Sequence, residues 1–309
     1  MNGKHIGWIV LLLIGLAAPF VVYPVLVMKI LCFALFACAF NLLLGYTGLL
    51  SFGHAAFLGS AGYICGYSMQ SLGLSPELGL LAGSAGAAAL GFIFGSLAIR
   101  RAGIYFAMIT LALAQLVYFL ALQFPFTGGE DGMQGIPRGR LLGLIDLSDT
   151  MNMYFFVLAV FLFGFWVIDR AIDSPFGQVL KAIRENEPRA ISLGYDVDRY
   201  KLLAFVLSAA LAGLAGATKT LVFQLASLTD VHWHMSGEVV LMTLLGGVGT
   251  VFGPIVGATI VVSLQNYGAE LGQWVTVLTG AIFVLCVLAF RRGVVGEVAH
   301  LIKRSGIRP

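Results

Sequence analysis

Few side chains in this sequence are placed to do chemistry, and the most notable is a single carboxylate. Glu238 lies just inside an apolar segment, two residues after Ser236. An acid within a long apolar segment is costly and therefore marks a functional pathway by default. A serine and an acid at the start of a helix can equally cap it and favour the positive end of its dipole. The sequence leaves the pathway and cap interpretations open.

Three histidines are further candidates. His54 lies in SFGHAAF, among small residues near the predicted inner boundary of an apolar segment, and a packed, hydrogen-bonded histidine is the favoured interpretation. His232 and His234 flank Trp233 in a short loop predicted to lie outside, and an HxH pair can bind a metal. The pair alone is a weak metal signal, so we interpret Trp233 as an interfacial tryptophan with polar neighbours.

No catalytic pattern accompanies these residues. The sequence has no GxSxG, HExxH or paired-carboxylate arrangement, and its glycine-rich loop 124–151 lacks the GK[ST] ending of a phosphate loop. The cysteines Cys32, Cys38, Cys65 and Cys286 stand singly in apolar segments, which favours buried small hydrophobes. We therefore predict a protein that is not an enzyme and has neither a metal nor an organic cofactor.

The elements that must position these residues are membrane helices. Of the 309 residues, 59% are hydrophobic and 11% are charged, whereas an ordinary soluble domain is about 25% charged. Apolar runs exceed the roughly 18 residues of a spanning helix, and no alternating barrel pattern recurs. We predict an all-α polytopic membrane protein with one transmembrane domain over residues 1–309. About ten spans are expected, some short or broken: 8–27, 30–48, 51–70, 78–99, 103–123, 152–169, 202–222, 237–248, 253–268 and 272–290.

Residues 171–201 form a segment that is too polar for a membrane and must lie in water. It is predicted to contain two short helices. Ser174 is a good N-cap for the first, and a proline follows it at the first helical position. The second covers about 188–193 and ends at Gly194, after which Asp198 is expected to cap the next apolar helix. The apolar face of the first helix comprises Phe176, Val179, Leu180 and Ile183.

The 39 glycines are clustered, which indicates close helix packing. Small residues spaced by four let helix backbones approach in lipid, and we favour packing within this chain over packing against a second subunit. GGVGTVFGP predicts a helix break near Gly246–Pro254, tolerated where the freed backbone is buried or lines a cavity. The small-residue repeats are Gly62–Gly66, Gly91–Gly95, Gly249–Gly253–Gly257, Ala209–Gly213–Ala217 and Ala212–Gly216.

The 18 lysines and arginines indicate the orientation. Most fall on one side if both termini are cytoplasmic, because residues 171–201 and the C-terminal tail then lie inside and loop 124–151 lies outside. This topology requires 237–248 and 253–268 to cross separately. If they form one broken span or a re-entrant loop, the number of membrane crossings before the C-terminal tail changes. The net charge of +3 is explained by this asymmetry and does not indicate a nucleic-acid partner.

Four segments in order resemble the permease subunits of bacterial branched-chain amino-acid ABC importers, the LivM-like branch in particular. The likeness covers roughly residues 30–290, and it rests on the ordered set. The segments are NLLLGYTGLLSFGHAAFLGSAGY (41–63), TGGEDGMQGIP (127–137), AIRENEPRAISLGYDVDRYKLLAFVLSAALAGLAGA (182–217) and LLGGVGTVFGPIVGA (244–258).

The resemblance implies an ABC importer permease fold in the bacterial inner membrane and a set of partners. These are a homologous LivH-like permease, two cytoplasmic ATP-binding subunits and a periplasmic substrate-binding protein, with membrane lipid around them. Loop 171–201 would dock onto an ATP-binding subunit and rock the spans between inward- and outward-facing states. Within it, Glu187…Ala190…Gly194 is similar to the EAA…G pattern of such permeases, although Pro188 and Arg189 replace small residues.

Two sets of site residues follow. The ATPase-coupling set is Arg184, Glu187, Arg189, Ala190, Ile191, Leu193 and Gly194. The translocation-pathway set is His54, Glu238, Gly246, Gly247, Gly249 and Pro254.

Substrate and transport mode have alternatives. Leucine-like amino acids come first, followed by urea, short-chain amides and other small organic solutes. A passive solute channel would need no docking loop. A proton- or sodium-coupled transporter and a membrane-embedded enzyme are disfavoured, because beyond Glu238 no Asp, Glu, Lys or Arg is predicted in the middle of a span.

Overall fold

The protein is a bundle of α-helices. The computed structural model describes residues 3–268, 272, 277, 280, 281, 284, 288 and 293–297. The helices are α1 (Gly3–Val21), α2 (Pro24–Thr47), α3 (His54–Gln70), α4 (Pro76–Ala98), α5 (Ile104–Gln123), α6 (Thr150–Asp173), α7 (Pro175–Glu185), α8 (Glu187–Ser192), α9 (Val197–Phe223), α10 (Leu228–Val231), α11 (Trp233–Gly246) and α12 (Gly253–Tyr267).

Each of the first nine predicted apolar segments overlaps one of these helices, so the prediction of an all-α membrane protein is confirmed. The helices α2, α4, α5, α6 and α9 are long and apolar enough to cross a membrane. The count of ten spans stays a prediction. Most of the segment 272–290, Cys286 and most of the basic tail lie outside the described residues.

Helix α2 forms the centre of the bundle. Of its most apolar stretch, 83% is buried inside the chain, against 22% for the equally apolar α5. It packs against α6, α9 and α12. Because lipid is as apolar as the core, van der Waals packing and not hydropathy decides which helix lies inside.

The predicted small-residue faces pack within this chain. A side chain at Gly91 would collide with Ala209, and one at Gly213 would collide with Ala87, so α4 and α9 touch nearly backbone to backbone. At Gly216 the obstacle is the carbonyl of Leu58 on α3. The preference for packing within the chain is therefore confirmed.

The bundle has two ends of different construction. The first, here called the α7–α8 end, carries residues 174–196, the α4–α5 turn and the turn between α11 and α12. The second, here called the strand end, carries the segments 124–149 and 224–232. There β1 (Met133–Gln134) pairs antiparallel with β4 (Leu225–Ala226), and β2 (Arg140–Leu141) pairs with β3 (Ile145–Asp146).

Candidate coupling segment and membrane break

The two short helices of the polar segment are capped as local sequence dictates. Ser174 Oγ accepts a hydrogen bond from the Gly177 amide at 3.4 Å and caps α7, as predicted. Asn186 caps α8 through the Arg189 amide at 3.0 Å. The chain then turns at Gly194, with φ of +88°.

One predicted cap is wrong. Asp196, and not Asp198, is the N-cap of α9, and its carboxylate accepts from the Arg199 amide at 3.3 Å. The helix begins at Val197, so Asp198 already lies in its first turn, where a negative charge still favours the helix dipole.

Helix α8 is fixed by some of its side chains and exposes others. Glu187 pairs with the buried Lys201 of α9 at 2.6 Å, and Ala190 is buried against Ile183 and Val197. Toward its C-terminal end, Ile191 and the C-cap residue Leu193 are 58% and 68% exposed, and Arg189 and Gly194 are exposed as well. Adjacent exposed aliphatic side chains on an anchored helix are typical of a protein–protein contact.

Arg184 differs from the rest of its predicted set. It lies in the last turn of α7, and its guanidinium donates to the carbonyl of Gly45 near the end of α2. The seven residues predicted to face an ATPase therefore divide by position. Arg189, Ile191, Leu193 and Gly194 are at the surface, Glu187 and Ala190 hold α8 in place, and Arg184 is exposed as well but donates a hydrogen bond to the bundle.

The predicted helix break is confirmed. Helix α11 ends at Gly246 and α12 begins at Gly253, with Pro254 in its first turn. Gly247 and Gly249 have φ of +120° and +78°, which only glycine adopts without strain.

The two pieces form an antiparallel hairpin. A side chain at Gly257 would overlap the Met242 carbonyl, and one at Gly246 would overlap the Gly253 carbonyl. With 14 and 15 residues, α11 and α12 are each about 21–23 Å long, shorter than the roughly 30 Å hydrocarbon core.

Asn41 is a site residue that sequence reasoning missed. Its buried side chain accepts from the Gly249 amide and donates to the Thr250 carbonyl, both at 2.9 Å. One side-chain amide from α2 thus satisfies two of the backbone groups that the break frees. The available signal was a lone asparagine within a long apolar run, where an unpaired amide would be costly.

His54 is completely buried and lies deeper than predicted. Its Nε2 is 2.9 Å from Ser208 Oγ near the middle of α9, and that hydroxyl donates to the Ala39 carbonyl at 2.6 Å. The rings of Phe40 and Phe57 surround it at 4.9 and 5.5 Å between centroids. This geometry joins α2, α3 and α9 and supports the packing interpretation.

The cap interpretation of Glu238 is wrong. Helix α11 begins at Trp233 with His232 as its N-cap, so Ser236 and Glu238 lie inside the helix, and Ser236 accepts from the Ala55 amide at 2.9 Å. Glu238 is half-buried and lines a cavity of about 350 Å³ together with His234 and Gln265.

His232 and His234 lie at the start of α11 and not in a loop, with their rings stacked at 6.2 Å. Across the residues that the structure describes, no group of three potential metal ligands comes together.

A larger, apolar cavity of about 480 Å³ lies between the segment after α2 and the start of α5. The non-helical segment 48–53 is partly satisfied by α5, because the Phe52 amide donates to Thr110 Oγ1 at 3.1 Å. The cavity is lined by Gly48, Leu49, Leu50, Phe52, Gly103, Ile104, Phe106, Ala107, Met108 and Leu111.

Five helices long and apolar enough to cross a membrane, joined in one bundle, make this a multi-pass membrane protein. The chain belongs to the family described as branched-chain amino acid transport system, permease component, whose sequence profile matches residues 25–289. This is an ABC importer permease family, in agreement with the resemblance noted above.

Individual relatives agree with the family. The high-affinity branched-chain amino acid transport system permease protein LivM of Escherichia coli is 29% identical over 80% of this chain, which spans 64% of that protein. Its Salmonella typhimurium counterpart is 29% identical over 90% of this chain and 72% of its own length. The ribose import permease protein RbsC of Bacillus subtilis is 30% identical over 58% of each chain. No solved structure matches the chain.

Proposed function

We propose that this chain is the LivM-like permease subunit of an ATP-driven importer for branched-chain or other hydrophobic amino acids. The observation that carries the proposal is the bare apolar pair Ile191 and Leu193 toward the C-terminal end of α8, a helix held by Glu187–Lys201. A transporter that is driven by separate ATPase subunits needs a docking surface of this kind, and a self-contained channel does not. Hydrolysis of ATP then belongs to two cytoplasmic partner subunits, and this chain catalyses no reaction.

The proposed topology follows from that docking surface. The α7–α8 end faces the cytoplasm of a bacterium, both termini lie on that side, and the strand end with loop 124–151 faces the periplasm. The chain sits in the inner membrane among lipids, and a periplasmic binding protein delivers substrate to the strand end. The excess of lysine and arginine in 171–201 supports this orientation.

The substrate route is proposed to run between this chain and a homologous LivH-like permease. Non-helical backbone within a membrane is tolerated only where it is buried in protein or lines a cavity, and 48–53 adjoins the apolar cavity against α5. Helix α5 is the least buried of the five long apolar helices, which leaves its surface for a partner. A cavity of about 480 Å³ falls within the usual range for small-molecule sites.

We propose different roles in transport for the predicted pathway residues. Glu238 borders the second cavity, and its carboxylate is suited to an ammonium group. The hairpin turn at Gly246, Gly247, Gly249 and Pro254 is proposed as a moving element, and His54 as the packing residue behind the route.

A sugar is the second candidate substrate, since the ribose permease of Bacillus subtilis is among the relatives. The apolar lining of the larger cavity favours an aliphatic side chain over a ring of hydroxyls. Urea and short-chain amides, or a passive channel, are the remaining alternatives. Binding assays with the cognate binding protein separate the substrates, and dependence of uptake on ATP separates importer from channel.

The test is capture of ATP-binding subunits from membranes by the tagged chain. Replacing Ile191 and Leu193 together by aspartate places two charges in the docking surface, so ATPase recovery and ATP-driven uptake should both fall while insertion is unchanged. The matched control is Leu142→Asp with Leu144→Asp, an exposed aliphatic pair at the strand end. Wild-type ATPase recovery and uptake in the Ile191/Leu193 variant would contradict the proposal.

A further inference from the structure

We infer that Arg184 is a positioning residue that carries movement of α7–α8 to the α11–α12 turn, an inference that rests on the proposed function. The turn, residues 247–252, lies beside the end of α2. Arg184 reaches this junction from the polar segment by a hydrogen bond, since its guanidinium donates to the Gly45 carbonyl.

The exposed Arg184 side chain passes close to two glycines. A Cβ atom at Gly249 would lie 3.1 Å from Arg184 Nη1, and one at Gly48 would lie 3.4 Å from its Cγ. The arginine therefore contacts the end of α2 and the break together. Any side chain larger than hydrogen at Gly249 would have to displace it.

The same junction is held from the opposite side by Asn41. This residue stands one helical turn before Gly45, and its amide binds the Gly249 N–H and the Thr250 carbonyl. A side chain at Gly45 would collide with both the Asn41 amide and the Gly249 backbone. Movement of the α2 end relative to α7 must therefore rearrange the break as well.

The electrostatics favour an arginine at this position. Helix α2 ends at Thr47, so the Gly45 carbonyl is one of its last, without a partner further along the helix. A cation at the negative end of a helix dipole is stabilising, and a guanidinium has five donors to keep the contact while the geometry changes. A lysine at this position would keep the charge but would lack the planar set of donors of the guanidinium.

The link from the docking surface to Arg184 is continuous. Helix α7 packs on α8 through Ile183 and Ala190, and Ile183 directly precedes Arg184. Displacement of Ile191 and Leu193 by a bound ATPase subunit would therefore move Arg184 against Gly45. This assigns to Arg184 an inward role, separate from direct contact with the ATPase.

The experiment compares Arg184→Ala, Arg184→Lys and Arg101→Ala in the complex with its ATPase subunits. Arg101 is an exposed arginine at the same end of the bundle and serves as the matched control. We expect Arg184→Ala to retain ATPase recovery and ATP hydrolysis while uptake falls roughly 2- to 30-fold, the range found for residues that transmit coupling. Arg184→Lys should be intermediate, and Arg101→Ala should match the parent.

A conformational readout distinguishes transmission from simple stability. Val248→Cys places a thiol in the break, and its rate of maleimide labelling is measured without nucleotide and with ATP plus vanadate, subtracting the parent chain. The rate should respond to nucleotide with Arg184 present and should not respond in the Arg184→Ala background. An unchanged nucleotide response together with wild-type uptake would overturn the inference.

The proposed function and the role of Arg184 fail in distinguishable ways. If the parent chain captures no ATPase and its uptake ignores ATP, the proposed function is wrong. If the parent is ATP-driven and Arg184→Ala behaves like it, only the role of Arg184 is wrong. Should Arg184→Ala fail to accumulate, Arg184→Lys is compared with the parent in the same labelling assay, and an undiminished response there overturns the inference.

Discussion

The strand end and the α7–α8 end of the bundle are held together by different kinds of interaction. At the strand end, Lys219 of α9 forms a buried ion pair with Asp230 of α10, and Arg138 donates to the Val222 carbonyl at 2.8 Å. Strand β1 also pairs antiparallel with β4, in a register that places Met133 opposite Ala226. At the α7–α8 end, the ion pair of Lys201 with Glu187 holds the short helix α8 and leaves Glu187 41% exposed, while the junction with the α11–α12 turn is made by single side-chain hydrogen bonds to backbone groups.

This difference separates a fixed end from an adjustable one. A buried ion pair loses its stabilisation abruptly when it separates, because each desolvated charge is then left without a partner. A side chain bonded to a carbonyl or amide can slide to a neighbouring group at a small net cost. The strand end therefore resists movement, while the α7–α8 end is suited to moving with a partner.

The largest predicted effect is at the fixed end. Lys219→Ala leaves Asp230 buried and unpaired, since these side chains are only 16% and 7% exposed, and should cost about 3–5 kcal/mol of stability. Thermal unfolding of the detergent-solubilised chain measures this loss. Lys219→Ala with Asp230→Ala together should recover part of it.

The control for that experiment is an ion pair at the other end. Arg199 and Asp196 are 83% and 52% exposed, so Arg199→Ala should cost less than about 1 kcal/mol. Equal losses at the two pairs would contradict the contrast between a fixed and an adjustable end.

An intermediate effect is predicted at the adjustable end. Asn41→Ala leaves the Gly249 amide and the Thr250 carbonyl without their partner, and each unsatisfied buried group costs about 1–3 kcal/mol. The fractional loss of uptake should exceed the loss expected from destabilisation alone, because the break is no longer hydrogen-bonded to α2. The matched control is Asn152→Ala, which removes a surface hydrogen bond to the Asp146 carbonyl. Wild-type uptake by Asn41→Ala would show that transport does not depend on the hydrogen bonds between α2 and the break.

Sequence reasoning succeeded where the determining interactions are local. The caps and turns at Ser174 and Gly194, the apolar face through Leu180 and Ile183, and the break at Gly246–Gly253 all depend on residues within one or two helical turns. The Asp198 error is of the same kind, because two acids two residues apart offer nearly equivalent caps and only the backbone geometry chooses Asp196.

It failed where partners are distant along the chain. Asn41 and Gly249 are separated by 208 residues, and Arg184 and Gly45 by 139, so no spacing rule connects them. The two-residue strands β1 and β4 are too short to show an alternating pattern. The docking residues of α8 could be proposed from the family resemblance, but which of them face inward depends on tertiary packing alone.

The smallest predicted effect is a local pH dependence at the strand end. Asp146, the last residue of β3, accepts from the Ser148 amide at 2.9 Å in the turn that follows the strand, and hydrogen bonding by Ser148, with lesser help from Arg140, lowers the pKa of the carboxyl below its ordinary value. A carboxyl whose folded pKa is depressed stabilises the fold above its unfolded pKa and loses that contribution as the pH falls through the folded value. Amide exchange in residues 145–149 should therefore be faster in Asp146→Asn than in the parent at neutral pH, and the ratio should approach one in acid. Because the carboxyl group is exposed, the change should stay confined to this turn. A shift of the global unfolding temperature would contradict this, because it would show that the stability of the strand end depends on the hairpin as well as on the buried ion pair.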